Sequence, residues 1–269
     1  MSLRVLSLNL WHDAGPWPRR RAAIRRWLER LEPDLIGFQE ALRGPGRDQV
    51  AELLEGLDYR RDFAAASTGW RDGLDFGNAV ASRWPIAARE ELRLPDAGDG
   101  ETRSALSVDV EAPFGPLGFT CTHLHWKFRH GWVRERQVVA LCQLALRRRP
   151  RGGFPPILVG DMNAEPESAE IRYVSGLQSL EGGSVAFLDA WRVAGDGGPG
   201  TTWSNRNSYA RKAFEPERRI DYVFAGFPRR DGAGRVLECR VVCDAEDAGV
   251  WPSDHFGVYA ELATAGEPQ

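Results

Sequence analysis

No apolar run in this 269-residue chain approaches the ~20 residues that a membrane-spanning helix requires. Lysine is nearly missing: Lys127 and Lys212 stand alone, which leaves 33 of the 35 basic residues as arginine. An arginine bias spread over the whole chain lowers the weight that any one arginine cluster carries. Surplus positive charge is missing as well. With a formal net charge of −3 and a pI of about 6.0, the chain has no global field built to gather a polyanion. No Pro/Gly/Ser linker divides it, since AGDGGPG (194–200) is short enough for a surface loop, so one domain over residues 1–269 is expected. No short-period repeat is found. The four cysteines, Cys121, Cys142, Cys239 and Cys243, sit mostly in apolar surroundings and read as buried free thiols. The Cys-x-x-x-Cys pair is a poor zinc signal. The opening MSLRVLSLNLW enters a strand pattern without the regions of a signal peptide, and a cytoplasmic location is expected.

What is present is ordinary globular material, 42% hydrophobic and 27% charged, enough for a sizeable core. Strand-length apolar runs recur at 4–10, 35–39, 78–82, 104–110, 117–123, 156–160, 220–226 and 256–262. Between them lie helical patterns. Ile24, Trp27, Leu28 and Leu31 recur at helical spacing in 19–31, as do Val133, Val138, Leu141, Leu144 and Ala145 in 132–148. Pro166 suits the first turn of a further helix. Strands and helices interleave, yet SALSVDVEAPFGPLGFTCTH reads as a hairpin, so the sheet is expected to be mixed.

The informative residues are those that close the strands. Asn9, Glu40, His123 and then Asp161 with Asn163 follow apolar runs, Asp221 begins one, and Asp254 with His255 precedes the last. In VGDMNAEP (159–166) the Asp and Asn are two apart, a spacing that points both side chains the same way on a strand end. Each has a plainer explanation: Asn9, Asp161 or Asp254 in a turn, Glu40 at a solvated helix start, His123 satisfied in a core. Eight such residues are harder to dismiss than one, because loops at strand ends are where rigid scaffolds present reactive groups.

LNLW, FQE, GNAVASRWPI, THL, VGDMNAEP, RIDYVF and PSDHFGV stand in the order found in the endonuclease/exonuclease/phosphatase superfamily. The chain resembles that superfamily from residue 4 to about residue 262. GDMN and SDH together, with QE upstream, carry the likeness. The resemblance implies an α/β (α+β) four-layer sandwich of the deoxyribonuclease-like kind, with two mixed β-sheets face to face and helices outside. It implies a metal-dependent hydrolase of phosphate esters, preferably a phosphodiesterase, that works by in-line attack of water with a histidine base.

Hard oxygen ligands select Mg²⁺ or Mn²⁺. The resemblance makes Glu40 the principal metal ligand, near Asn9, and Asp254 a second carboxylate if two ions bind; one ion or two stays open. It makes His255 the base, with Asp221 holding its other nitrogen. Asp161 would orient the attacking water or help hold metal, and Asn163 would donate an amide N–H to a phosphate oxygen. His123 would contact a phosphate oxygen or protonate the leaving group. Arg103, in ETRSAL, would lie near the phosphate; its plain alternative is a surface salt bridge.

The substrate is less legible. HWKFRHGWVRER (125–136) and SNRNSYARKAFEPERR (204–219) mix aromatics with basic residues. Such loops suit stacked bases, a membrane headgroup or a sugar phosphate, while Trp126 and Trp132 also suit packing under a long loop. Partners are therefore a phosphate-ester substrate, whether small molecule, lipid headgroup or nucleic acid; no obligate protein partner is implied. The signatures of inositol polyphosphate phosphatases are missing, and Trp11 stands where apurinic-site endonucleases usually offer Asp. GDMNAEPES is closer to the deadenylase and sphingomyelinase-like branches. The alternatives are an endo- or exonuclease acting on DNA or RNA, and an inactive binding module on the same fold.

Overall fold

A computed structural model describes residues 2–265. Two sheets form. The first runs, in spatial order, β12 (Val236–Val242), β13 (Gly257–Ala263), β1 (Ser2–Asn9), β2 (Leu35–Gly44), β5 (Leu74–Ser82) and β4 (Arg60–Arg71), with β3 (Arg47–Asp48) paired to β2. The second runs β10 (Leu188–Asp189), β11 (Asp221–Ala225), β9 (Ile157–Asp161), β8 (Gly115–His123), β7 (Ser104–Ala112) and β6 (Ile86–Arg93). Each sheet holds one parallel pair, β1–β2 and β8–β9, among antiparallel neighbours. A parallel pair needs a crossover. The helices α1 (Trp17–Leu31) and α3 (Gly131–Arg147) supply the two crossovers, close to the helices expected at 19–31 and 132–148, and a short helix, α2 (Gln49–Leu53), follows β3.

Side-chain alternation sorts residues into layers. Leu3, Val5, Leu35 and Val80 of the first sheet face Val108, Phe119, Val159 and Val223 of the second. The opposite faces meet helices: Leu6, Leu8, Ile36 and Phe38 pack on Ile24 and Leu28, and Leu158, Tyr222 and Phe224 share a cluster with Val138 and Leu141. The result is the expected four-layer α/β sandwich with mixed sheets and helices outside. The hairpin expected over 104–123 is β7–β8.

Some details differ from expectation. The helix after Pro166 begins only at Ala169 and is short, α4 (Ala169–Val174); Pro166 lies in the turn before it. Strands β4, β6, β10 and β12 carried no apolar signal, and all four are edge strands. All four cysteines are buried and free, as expected.

Candidate active site

The inward-facing stripes of the strands change from apolar to polar at one end of the sandwich. Leu3, Val5 and Ser7 lead to Asn9; Leu117, Phe119 and Cys121 lead to His123; Ile157 and Val159 lead to Asp161. Asp221 heads the stripe of Val223 and Ala225 on β11, which runs antiparallel to β9 and so presents its beginning at the same end. Register places His123, Asp161 and Asp221 side by side on three neighbouring strands. Glu40 breaks the pattern. Strict alternation would send it after Ile36 and Phe38 to the helix side. Instead the β2–β5 register slips between Phe38 and Ala41, and Glu40 takes a left-handed φ of 58°. That bulge brings its carboxylate to Asn9.

Asn9 joins the sheets. Its Nδ2 donates to Asp161 Oδ2 at 3.1 Å and to Glu40 Oε1 at 3.4 Å, while its Oδ1 accepts the Trp11 N–H at 2.9 Å. The amide nitrogen thus faces the acids, and Asn9 orients two carboxylates in this arrangement.

The two imidazoles are held differently. His255 sets Nδ1 2.9 Å from Asp221 Oδ2 and turns Nε2 toward Asp161 Oδ2 at 3.7 Å. Burial opposes its charge, but Asp221, Asp161 and Asp254 outweigh that and hold its pKa well above the ordinary imidazole value. His123 accepts from Arg103 Nη1 on Nδ1 at 3.0 Å, which puts its own proton on Nε2, 3.4 Å from Asp161 Oδ2. Burial first, then Arg103, His255 and His125, push its pKa well below the ordinary value. His123 is therefore a neutral N–H donor and not a charged acid. Arg103 is 3% exposed; it pairs with Glu101 at 2.9 Å, and its Nε has no partner among the described residues.

Negative charge is crowded here. Desolvation raises Glu40; burial and then Asp221 raise Asp161 to about 7; burial, with Glu40 adding to it, raises Asp254 to about 6. A set of desolvated oxygens with raised pKa values is what a hard divalent cation would relieve, and Glu40, Asp161 and Asp254 fit one. Asp161, Asp221 and His255 also converge closely enough to share an ion. A second convergence, of Asp99, His125 and His130, fits less well. His125 Nδ1 accepts the Lys127 N–H at 3.2 Å, so its proton sits on Nε2, the nitrogen that faces the other two side chains.

Seven of the nine sequence-predicted residues, Glu40, Arg103, His123, Asp161, Asn163, Asp254 and His255, line one cavity of about 430 Å³. Asn9 and Asp221 stand behind it, in contact with its lining. Asn163 arrives by a route other than strand alternation. It lies beyond the end of β9 with φ 48°, accepted into the turn by Asp161 Oδ1, and its Nδ2 donates to Leu124 O at 3.1 Å. Arg103 is buried, which removes the surface salt bridge as its explanation.

Several supporting residues had no signal in the sequence. Thr202 Oγ1 accepts the N–H groups of Ile220 and Asp221, and its carbonyl accepts from Phe256, so it ties Asp221 to the His255 loop. Asn207 Nδ2 donates to the carbonyls of Ser253 at 2.7 Å and Asp254 at 3.2 Å. The Trp203 ring stands edge-on to His255 at 4.9 Å. A wall of rings, Trp11, His12, Trp70 and Phe76, runs along the cavity with successive centroids 5.1–6.4 Å apart.

A family model described as the Endonuclease/Exonuclease/phosphatase family matches residues 6–255. A protein of Caenorhabditis elegans named as a putative neutral sphingomyelinase is 24% identical over 306 residues; the match takes in 97% of this chain and 66% of that protein's length. An endonuclease/exonuclease/phosphatase structure from Beutenbergia cavernae superposes with a TM-score of 0.71 at 26% identity, covering 98% of this chain and 72% of that one. The D. rerio TDP2 structure complexed with single-strand DNA product superposes at 0.75 with 21% identity, covering 97% and 99%.

Proposed function

The chain belongs to the endonuclease/exonuclease/phosphatase family, a family of divalent-metal-dependent phosphate-ester hydrolases, and on that premise we propose that it is a phosphodiesterase. The observation that carries this reading is His255, held between Asp221 and Asp161 in a cavity that Glu40 and Asp254 also line. Mg²⁺ or Mn²⁺ held by Glu40 and Asp254, as one ion or two, would supply charge for the phosphoryl oxygens and a more acidic attacking water.

The side chains do the rest. Asp221 keeps the His255 proton on Nδ1, and Nε2, left unprotonated where a cation offsets the acids that raise the His255 pKa, takes a proton from water. Asp161 Oδ2, close to that Nε2, orients the same water. His123 offers its Nε2–H to a phosphoryl oxygen, and Arg103 keeps that proton in place from behind. Asn163 donates an N–H to the phosphate beside it. In-line displacement then expels the ester oxygen.

A diester fits the cavity's charge. Its two arginines, Arg103 and Arg218, are each paired with an acid, Glu101 and Glu215, so little free positive charge is left for a dianionic monoester. The names of the relatives fit a diester too, one a phospholipid hydrolase and one a protein bound to a DNA product. A nuclease is the second reading. The ring wall from Trp11 to Phe76 favours it, because bases stack on such surfaces. An inactive module is disfavoured by the complete set of acids and imidazoles. Four reduced thiols fit the cytoplasm.

The test is hydrolysis of bis-(p-nitrophenyl) phosphate against the monoester, with Mg²⁺ and with Mn²⁺, alongside phospholipid and single- and double-stranded DNA and RNA. Diester turnover that needs the cation is expected. Turnover of the monoester alone overturns the reading, and binding that weakens steeply with salt moves it to nucleic acid.

A further inference from the structure

Exposed aromatic side chains are unevenly placed on this molecule. Among the described residues the large exposed rings are Trp70, Trp126, Phe128, Trp132, Phe214 and Phe227. Five of the six lie on β4, 125–136 and 204–219, segments that each contribute residues to the cavity lining. Phe214 is the extreme case. It is 93% exposed at a left-handed turn, φ 58°, directly before the lining residue Glu215, and among the described residues no ring or cation stacks on it. Arg218 stacks over Phe128 at 4.4 Å and ties the two loops into one rim. Trp126 and Phe128 also border a shallow depression with Lys127 and Arg129. Trp132 and Arg136, one turn apart on α3, share a helix face.

Charge is sorted along the same rim. Lys127, Arg134, Arg218 and Arg219 are neutralised by Asp99, Glu170, Glu215 and Asp189. Arg129, Arg136, Arg211 and Lys212 are exposed, and among the described residues none has an acidic partner. Free cations are thus interleaved with exposed rings: Phe128 beside Arg129, Trp132 one turn from Arg136, Phe214 just past Arg211 and Lys212.

We propose that this rim docks the protein on a lipid bilayer that carries anionic headgroups, so that a headgroup phosphodiester enters the cavity from the membrane. Rings at such a surface settle at the headgroup level with their apolar bodies buried, while lysine and arginine are drawn to anionic lipid. Single-stranded nucleic acid fits the rim less well. A ring that stacks bases is backed by a groove and flanked by cations that track the backbone. Phe214 is almost wholly exposed, and five of the nine lysines and arginines of the two loops are paired with acids. The proposal rests on the phosphodiesterase reading only for the bond that docking would deliver.

The test uses the whole chain and sedimentation with vesicles of phosphatidylcholine, with and without an equal part of phosphatidylserine. Phe214→Ser/Trp132→Ser alters two exposed side chains outside the cavity lining. Wild type should pellet with the mixed vesicles, and the double variant should bind them at least about tenfold more weakly, the scale of one ring's burial. Turnover of soluble bis-(p-nitrophenyl) phosphate should be the same for both. Absence of vesicle binding overturns the proposal, as does binding that the double variant leaves unchanged. Tighter binding to single-stranded DNA that the same variant abolishes assigns the rim to nucleic acid and overturns it too. Loss of soluble diester turnover in wild type, with vesicle binding intact, would overturn the phosphodiesterase reading and leave the docking surface standing.

Discussion

Three side chains meet at Asp161 Oδ2: Asn9 Nδ2 donates to it at 3.1 Å, and the Nε2 atoms of His123 and His255 lie 3.4 and 3.7 Å away. Asp161→Asn and His255→Ala should each lower diester turnover by at least about 10²-fold, the usual scale for loss of a general base. Circular dichroism should show the fold retained, and near-normal turnover would remove that residue from the mechanism. The same crowding sets a pH dependence. Asp161, at about 7, and Asp254, at about 6, lie above their ordinary 3.8, so the folded chain takes up these protons before the unfolded chain does. Stability therefore rises as pH falls through those values. His255, raised well above 6.5, contributes stability that is fully present below 6.5 and lost as pH climbs through its folded value. Both terms have the same sign; His123, held neutral by burial, opposes them, because the unfolded chain takes its proton near 6.5 and the folded chain does not. Relative to Asp161→Asn, the metal-free melting temperature of wild type should therefore increase from about pH 8 to about pH 5. A difference that does not change with pH would mean that Asp161 is not crowded.

At the scale of elements, the site depends on two departures from regular structure. One is the bulge in β2 that turns Glu40 inward. The other is the segment 10–14 after β1, which carries Trp11 and His12 at φ 51° and 35°. Arg20, fully buried on α1, holds that segment by donating to the carbonyls of Leu10, His12 and Ala14, with Trp11 and Trp17 rings 5.0 and 5.4 Å from its guanidinium. Arg20→Met should cost at least about 2 kcal/mol in chemical denaturation, because buried carbonyls lose their donors. Wild-type stability in that variant would show that water replaces the arginine. Elements also divide by legibility. Central strands such as β1, β8 and β9 are buried on both faces, so their apolar runs stood out. Edge strands do not need such runs. Strand β6, IAAREELR, is rich in charge with only Ile86, Glu90 and Leu92 half-buried, β4 carries arginine and aspartate, and β12 carries arginine and glutamate; such charges keep an open edge from pairing with other chains.

The whole molecule is set by how closely the sheets approach. A Cβ on Gly37 would lie 2.4 Å from Val159 Cγ2 and 3.0 Å from Cys121 Sγ, across the interface between the sheets. Gly37→Ala should therefore destabilise by about 1–3 kcal/mol and lower the denaturation midpoint, as overpacking does. An unchanged midpoint would mean that the sheets can part at little cost. Because Glu40 comes from one sheet, Asp254 from the loop that enters the same sheet and Asp161 from the other sheet, a cation held among them would brace the sandwich. Saturating Mn²⁺ or Mg²⁺ should raise the melting temperature, by an amount equivalent to about 2.7 kcal/mol at one hundred times the dissociation constant. A melting temperature that does not respond to either ion would favour an inactive module.

The amino-acid order alone determined the layered architecture and most of the site, for a definite reason. Alternation within a buried strand decides which side chains face inward, so Asn9, His123, Asp161 and Asp221 were committed by the apolar residues two and four positions away. What alternation cannot express was decided in three dimensions. The inward turn of Glu40 needs a bulge, and the neutral state of His123 needs burial and then Arg103, which directly precedes the neighbouring strand β7. The anchoring of Asp221 and Asp254 needs Thr202 and Asn207, polar residues of a loop whose local spacing carries no periodic signal. Contacts of that kind exist only once distant segments have been packed together, because each depends on a partner that the chain delivers from elsewhere.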